Sequence, residues 1–246
     1  MTPQIILEKK EYLVISKPSG LIVHGDGKTN ELTLADWILE NYPEIENVGE
    51  PFVIEKKGEE DVIIPRPGIV HRLDRETSGV MIIARTQEFF DHIKEKFQNR
   101  EVEKTYHAFV YGHVKNGEGV IDASIGKSKK DFRLWSAQRG AGGKLRDALT
   151  EYKILKRFES DGEPISLVEL SPKTGRTHQL RVHMKYLNHP ILCDKLYAPK
   201  RPCLLDFNRV ALHAHKIVFK DLEGEIVEVD APYPEDFEKV IEKLEI

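Results

Sequence analysis

RPGIVHRLDRETSGVMIIAR, residues 66–85, is the stretch on which the reading of this chain turns. It closes in an apolar run, Val80–Ala84, that reads as a buried strand. Directly ahead stand His71, Arg72, Asp74, Arg75 and Glu76, five ionisable side chains within six residues. Thr77, Ser78 and Gly79 between them read as a turn. Charged groups prefer water, because burying one without a partner is costly. A dense knot of charge set against a core strand therefore needs a reason.

Working outward, Tyr12–Ser16 reads as a strand and KPSG after it as a turn. Thr33 is placed to cap a short helix through Trp37 and Ile38, stopped by Pro43. Residues 40–61 are acidic and read as an irregular surface loop. Thr86 caps a helix in which Phe89, Ile93 and Phe97 repeat on one face. Val102–Tyr111 alternates like a strand. Residues 127–147 are basic and Gly-containing, with Phe132 and Trp135 among them, and read as a mobile loop or loose hairpin. Leu149–Phe158 and Ile165–Ser171 read as paired strands around ESDGEP. TGRTHQLRVHMKYLNHP reads as turn, helix and Pro stop. Val210–Lys220 and Glu225–Val229 flank the turn DLEG, and Phe237, Val240, Ile241 and Leu244 mark a last amphipathic helix. Strands and helices mix without a βαβ rhythm. The expected class is α+β, with a mixed, mostly antiparallel central sheet flanked by helices.

The chain has 246 residues, 40% of them apolar and 32% charged, the composition of a globular protein with a core. No apolar run nears the ~20 residues of a membrane span, and the N-terminus lacks a signal-peptide plan. Cys193 and Cys203 are the only cysteines; reduced thiols and a cytoplasmic setting are expected. The net charge of −4 is unevenly spread. Residues 126–157 carry ten Lys/Arg and three Asp/Glu, 172–216 nine and two, while 221–246 carry two and ten. Such segregation predicts a basic face, gathered around Asp74, and an acidic back.

Several chemistries can be weighed for the charged knot. The His71/Asp74 pair and the later His178, His183 and His189 match no zinc signature. KPSG, TSGV and GAGG lack the context of a phosphate loop, and no GxSxG elbow announces a serine triad. A lone reactive carboxylate fits better. Asp74 lies between Arg72 and Arg75, and an Arg-rich GRTHQLR follows downstream. An arginine partner would keep Asp74 ionised and oriented, as nucleophile or as base. A structural ion-pair network at a sheet edge is the other account of the same residues, and on charge and position alone it is the stronger one.

HRLDRETSGVMIIAR also resembles the catalytic motif of the RluA-type pseudouridine synthases, an HRLD segment followed by a TSG turn and an apolar strand. YLVISKPSGLIVH resembles that family's opening motif, KTYHAFVYG its tyrosine strand, PKTGRTHQLRVHM its arginine motif, and RVALHAHKIVF its late strand. All stand in family order across residues 12–219. The resemblance implies one catalytic domain over residues 1–246, acting without metal or organic cofactor, with no S4-type RNA-binding module ahead of it. It implies Asp74 as the catalytic aspartate, Arg181 as its ion-pair partner and Tyr106 as the ring stacked on the target base. Leu212 would pack beneath the flipped uracil. Arg72, His71, Arg176 and His178 would contact the substrate. The expected partner is structured RNA, ribosomal or transfer, met by a monomer. The rival reading is a catalytically silent RNA-binding or RNA-chaperone protein of the same fold. On the catalytic reading, the strand is the rigid mount that aims Asp74. One loop departs from the family: where relatives read close to GDPLYG, this chain has CDKLYAP, around Asp194 and Tyr197.

Overall fold

The computed structural model describes residues 2–25, 31–54, 60–129, 131, 134–137 and 141–244. Phe132 lies outside them. In chain order the strands are β1 (Gln4–Glu8), β2 (Tyr12–Lys17), β3 (Phe52–Ile54), β4 (Val62–Ile64), β5 (Ser78–Ala84), β6 (Glu103–Tyr111), β7 (Glu118–Asp122), β8 (Ile125–Ser128), β9 (Trp135–Ala137), β10 (Ala141–Arg146), β11 (Leu149–Ser160), β12 (Glu163–Pro172), β13 (Leu212–Lys220) and β14 (Ile226–Asp230). The helices are α1 (Leu34–Asn41), α2 (Gln87–Gln98), α3 (Gln179–Tyr186) and α4 (Glu235–Lys243). The chain forms two compact units, residues 1–102 with 216–232, and residues 103–215 with 233–246. The class is mixed α+β, and the strand pairs within each unit are antiparallel.

In the first unit β2 pairs with β1 on one side and β5 on the other. Every residue of β5 is buried, as its unbroken apolar run requires. The helices start where their caps stand. Thr33 and Asp36 form a reciprocal capping box at α1, and the Thr86 hydroxyl accepts from the Phe89 amide at α2, each worth about 1 kcal/mol. Phe89 and Ile93 of α2 are fully buried. Phe97, third in the expected stripe, instead stacks on His71 with ring centroids 4.8 Å apart. Phe89 also stacks on Tyr12 at 4.5 Å.

In the second unit the sheet order is β6-β12-β11-β7, and β10-β8-β9 form a small sheet of their own. Phe109, Tyr111, Leu167, Leu170, Phe207 and the α4 residues Phe237, Val240 and Ile241 share one core. Both basic runs, up to His215, belong to this unit.

Three local expectations are corrected. The thiols are not left reduced: Cys193 and Cys203 are joined as a disulfide, because the intervening loop returns the chain to a Cα separation of 4.8 Å. The turn after the charged knot is at Arg75–Glu76, closed by the Thr77 amide on the Asp74 carbonyl; Ser78 and Gly79 already belong to β5. The acidic 40–61 stretch is not wholly irregular, since Phe52–Ile54 pairs with Val62–Ile64. The described parts of 127–147 pair as hairpins in the β10-β8-β9 sheet, the second of the two alternatives read for that stretch.

Candidate active site

The Asp74 turn is gripped from the KPSG side. Lys17, fully buried at the end of β2, sends its ammonium to the carbonyls of Pro18, Leu21 and Arg75 at 2.9, 2.8 and 3.1 Å. The Ser19 hydroxyl donates to the Glu76 carbonyl at 2.8 Å, and the Gly20 amide to the Arg75 carbonyl at 2.8 Å. The two residues after Asp74 are thus bonded through backbone, and the carboxylate sits half-buried on a braced turn. Upstream, Gly68 has φ +64°, and a Cβ there would meet the Ala84 carbonyl at 2.2 Å. Only glycine fits between this turn and β5.

His71 also braces the loop. Its Nε2 accepts from the Ile82 amide at 2.9 Å, and its ring lies on Phe97. Arg72 is exposed and donates from Nη1 to His24 Nε2 at 3.1 Å. Arg75 meets Glu31 at 2.8 Å on the surface.

The other expected residues belong to the second unit. Tyr106, partly buried on β6, lies opposite Leu170 of β12. Leu212 opens β13 and is buried in the core cluster that Tyr106 packs against. Arg176 donates from Nε to the Asp147 carbonyl at 2.9 Å. His178 stands at the N-cap of α3 with a left-handed φ of 55°. Gln179, the first residue of the helix, ties the preceding turn together, its Oε1 accepting from the Thr174 hydroxyl and the Arg176 amide at 2.7 and 3.0 Å.

Arg181, on α3, forms a two-point fork with Asp194. Nε donates to Oδ2 at 2.7 Å and Nη2 to Oδ1 at 2.8 Å. Asp194 is fully buried, and its Oδ1 also accepts the amides of Leu196 and Tyr197, each at 3.0 Å. The Tyr197 ring centroid is 5.2 Å from the guanidinium carbon. The Tyr197 hydroxyl accepts from the Trp135 amide at 3.1 Å and shares a 2.9 Å hydrogen bond with His178 Nδ1. The fork is the two-point geometry that only a planar guanidinium offers a carboxylate.

Against known proteins, the description RNA pseudouridylate synthase matches residues 11–186. The chain belongs to that family. Among its relatives, Ribosomal large subunit pseudouridine synthase D of Xanthomonas campestris is 36% identical over 98% of this chain and 69% of its own length. An uncharacterized RNA pseudouridine synthase of Bacillus subtilis, YlyB, is 34% identical over 99% of this chain and 73% of its own. The solved structure of Human RNA Pseudouridylate Synthase Domain Containing 4 superposes with a TM-score of 0.72 at 27% identity, covering 98% of this chain and 93% of that one. This pseudouridylate synthase is therefore an isomerase that converts uridine in RNA to pseudouridine.

Three residues of the site carry no role in the sequence reading. Lys17 was passed over as part of a turn; a lysine closing a strand gives no local sign that it points inward. Asp194 and Tyr197 were marked only as the departing CDKLYAP loop. The retained DxLY spacing was the available signal, since it places the carboxylate and the ring three residues apart. Among the described residues, no three His, Cys, Asp or Glu gather as a metal site, and no helix is long and apolar enough to cross a membrane.

Proposed function

We propose that this pseudouridylate synthase acts on structured RNA in the cytoplasm, with large-subunit ribosomal RNA as the first substrate class and transfer RNA as the second, and that Asp74 is its reactive carboxylate. The observation that carries the reading is the braced turn. A carboxylate held through its neighbours' carbonyls by Lys17, Ser19 and Gly20 is fixed in direction without its own oxygens being spent on those bonds. The ribosomal choice rests on relatives such as the Xanthomonas and Neisseria large-subunit synthases D, the latter 35% identical across the whole chain.

The chemistry assigns the remaining roles. Isomerisation breaks the C–N glycosidic bond and remakes it from C5 of uracil. The sugar C1′ and the base C6 are closed to a side chain inside a stack, so the nucleotide must be flipped out. Tyr106 replaces the lost stacking, worth about 1–3 kcal/mol. Leu212 gives the detached uracil an apolar floor, and Arg181 serves the carboxylate as a cation. Asp74 then attacks the nucleoside or removes a sugar proton. Arg72, Arg176, His71 and His178 are assigned to the RNA. The test is to map pseudouridines in total RNA from cells with the gene, without it, and with Asp74→Ala in its place. A ribosomal site lost in both altered strains supports the reading. An unchanged map overturns it.

A further inference from the structure

The β3–β4 hairpin has no place in the mechanism so far. It is apolar yet open to water: Phe52 and Val53 are each 45% exposed, and Ile63 66%. Among the described residues its strands pair with each other, Phe52 with Ile64, Val53 with Ile63 and Ile54 with Val62, and with no other strand. A lone two-stranded ribbon is marginal in water, and apolar side chains left exposed on one need a reason.

The hairpin connects to the Asp74 loop through a short chain of contacts. The Phe52 ring lies 6.0 Å from the His24 ring. His24 Nδ1 donates to the Gly25 carbonyl at 2.9 Å, which leaves Nε2 to accept from Arg72 Nη1 at 3.1 Å. Arg72 is two residues from Asp74. Arg66 joins the group. Its Nη2 reaches the Ile69 carbonyl at only 3.5 Å, and its Nε is buried with no hydrogen-bond partner among the described residues. Burial first, and then Arg72, depress the Arg66 pKa; burial first, and then Arg72 and Arg66, depress that of His24. Two guanidiniums and an imidazole therefore crowd one another beside an exposed phenyl face, with Glu50 as the acid that acts on Arg66.

Crowded arginines with an unspent N–H call for an anion, and an exposed ring next to them calls for a flat partner. Both belong to one chemical unit, a nucleotide. We propose that Phe52 stacks a base of the RNA strand flanking the target uridine, while Arg66 and Arg72 hold the adjoining phosphate. This rests on the reading that Asp74 acts on RNA, because that reading puts a strand beside Arg72. It adds a subsite for a second nucleotide. A protein docking on the same apolar ribbon would need area but not aromaticity, so the two occupants separate by experiment.

The probe is total RNA from cells lacking the gene, bound in filter assays to the full chain and its variants, each checked by thermal melt. Phe52→Ala and Phe52→Leu should both weaken binding about tenfold, because leucine keeps apolar area but no π-face, while Phe52→Trp should bind within about twofold of wild type. Arg66→Gln should lower the salt slope of log K by about one. Wild-type affinity in Phe52→Ala or in Phe52→Leu overturns the stacking site, the second result pointing to a protein partner. An unchanged salt slope in Arg66→Gln overturns the phosphate contact. If Phe52→Ala fails to fold, the leucine and tryptophan variants carry the test. Failure of the Asp74 reading shows separately, as wild-type protein that binds this RNA and forms no pseudouridine.

Discussion

The Asp74 turn and the Arg181 fork are two ways of holding a charged group still. At the turn, the holding is done by a buried cation acting on neutral carbonyls, Lys17 on Pro18, Leu21 and Arg75. At the fork, charge holds charge, with Arg181 and Asp194 joined at 2.7 and 2.8 Å and both side chains buried. The first arrangement fixes a backbone on either side of a carboxylate. The second fixes a side chain and uses a carboxylate to do so. The comparison predicts that Asp74 is the functional acid and Asp194 the structural one, and substitutions should separate them.

The largest effect is expected at the turn. Asp74→Ala should abolish pseudouridine formation, read as tritium release from 5-tritiated uridine RNA in a single turnover, while the thermal midpoint stays near wild type or rises, since functional charges are often placed at a cost to stability. A folded variant that still released tritium would remove Asp74 from its role. Asp194→Asn should do the reverse in kind. It leaves a buried guanidinium without its counter-charge and should cost about 3 kcal/mol in a denaturant titration. A loss well under about 1 kcal/mol would mean that the fork is not what holds Arg181.

Lys17→Met comes next. It keeps the length but leaves buried carbonyls without their donor, at about 2 kcal/mol, and it loosens the turn, so activity should also fall at least tenfold. If stability dropped but turnover in the folded fraction did not, the bracing of Asp74 would be refuted. The smallest effect sharpens the contrast with a buried group that carries no charge at all. His107 is pushed down to about 3, by burial first and then by neighbouring His215. Its Nδ1 meets the Tyr233 hydroxyl at 2.6 Å, and Glu169 stands 3.7 Å from Nε2. Unfolded, the imidazole binds its proton below about pH 6.5; folded, it stays neutral. The unfolded state therefore holds more protons as pH falls, and stability is lost from about 6.5 downward toward 3. Between pH 6.5 and 5 the wild type should lose about 1–2 kcal/mol more than His107→Phe. Parallel curves would show that His107 takes up its proton in the folded state.

Much of this was open to reading in one dimension. Thr33 and Thr86 cap α1 and α2 because capping depends on three or four consecutive residues. β11 and β12 lie on either side of ESDGEP because a hairpin needs only its turn and its two alternating flanks. β1, β3, β4 and β7 have no counterpart in the linear reading, being short strands whose pairing partners carry the information. His71 is expected to contact substrate from its place in HRLD. That its Nε2 also accepts from the Ile82 amide and its ring stacks on Phe97 depends on β5 and α2 coming together, which no spacing within HRLD reports.

The sequence alone determined the α+β class, the four helices and the longer strands, and the family, because each rests on local periodicity, on turn chemistry or on motifs read in line. Only the tertiary structure decided that Lys17 turns inward to Arg75, that Asp194 clasps Arg181, that Cys193 reaches Cys203, and that Phe52 lies against His24. These contacts join residues that local pattern treats as independent. Their free energy comes from excluding water between surfaces that meet only once the chain has folded.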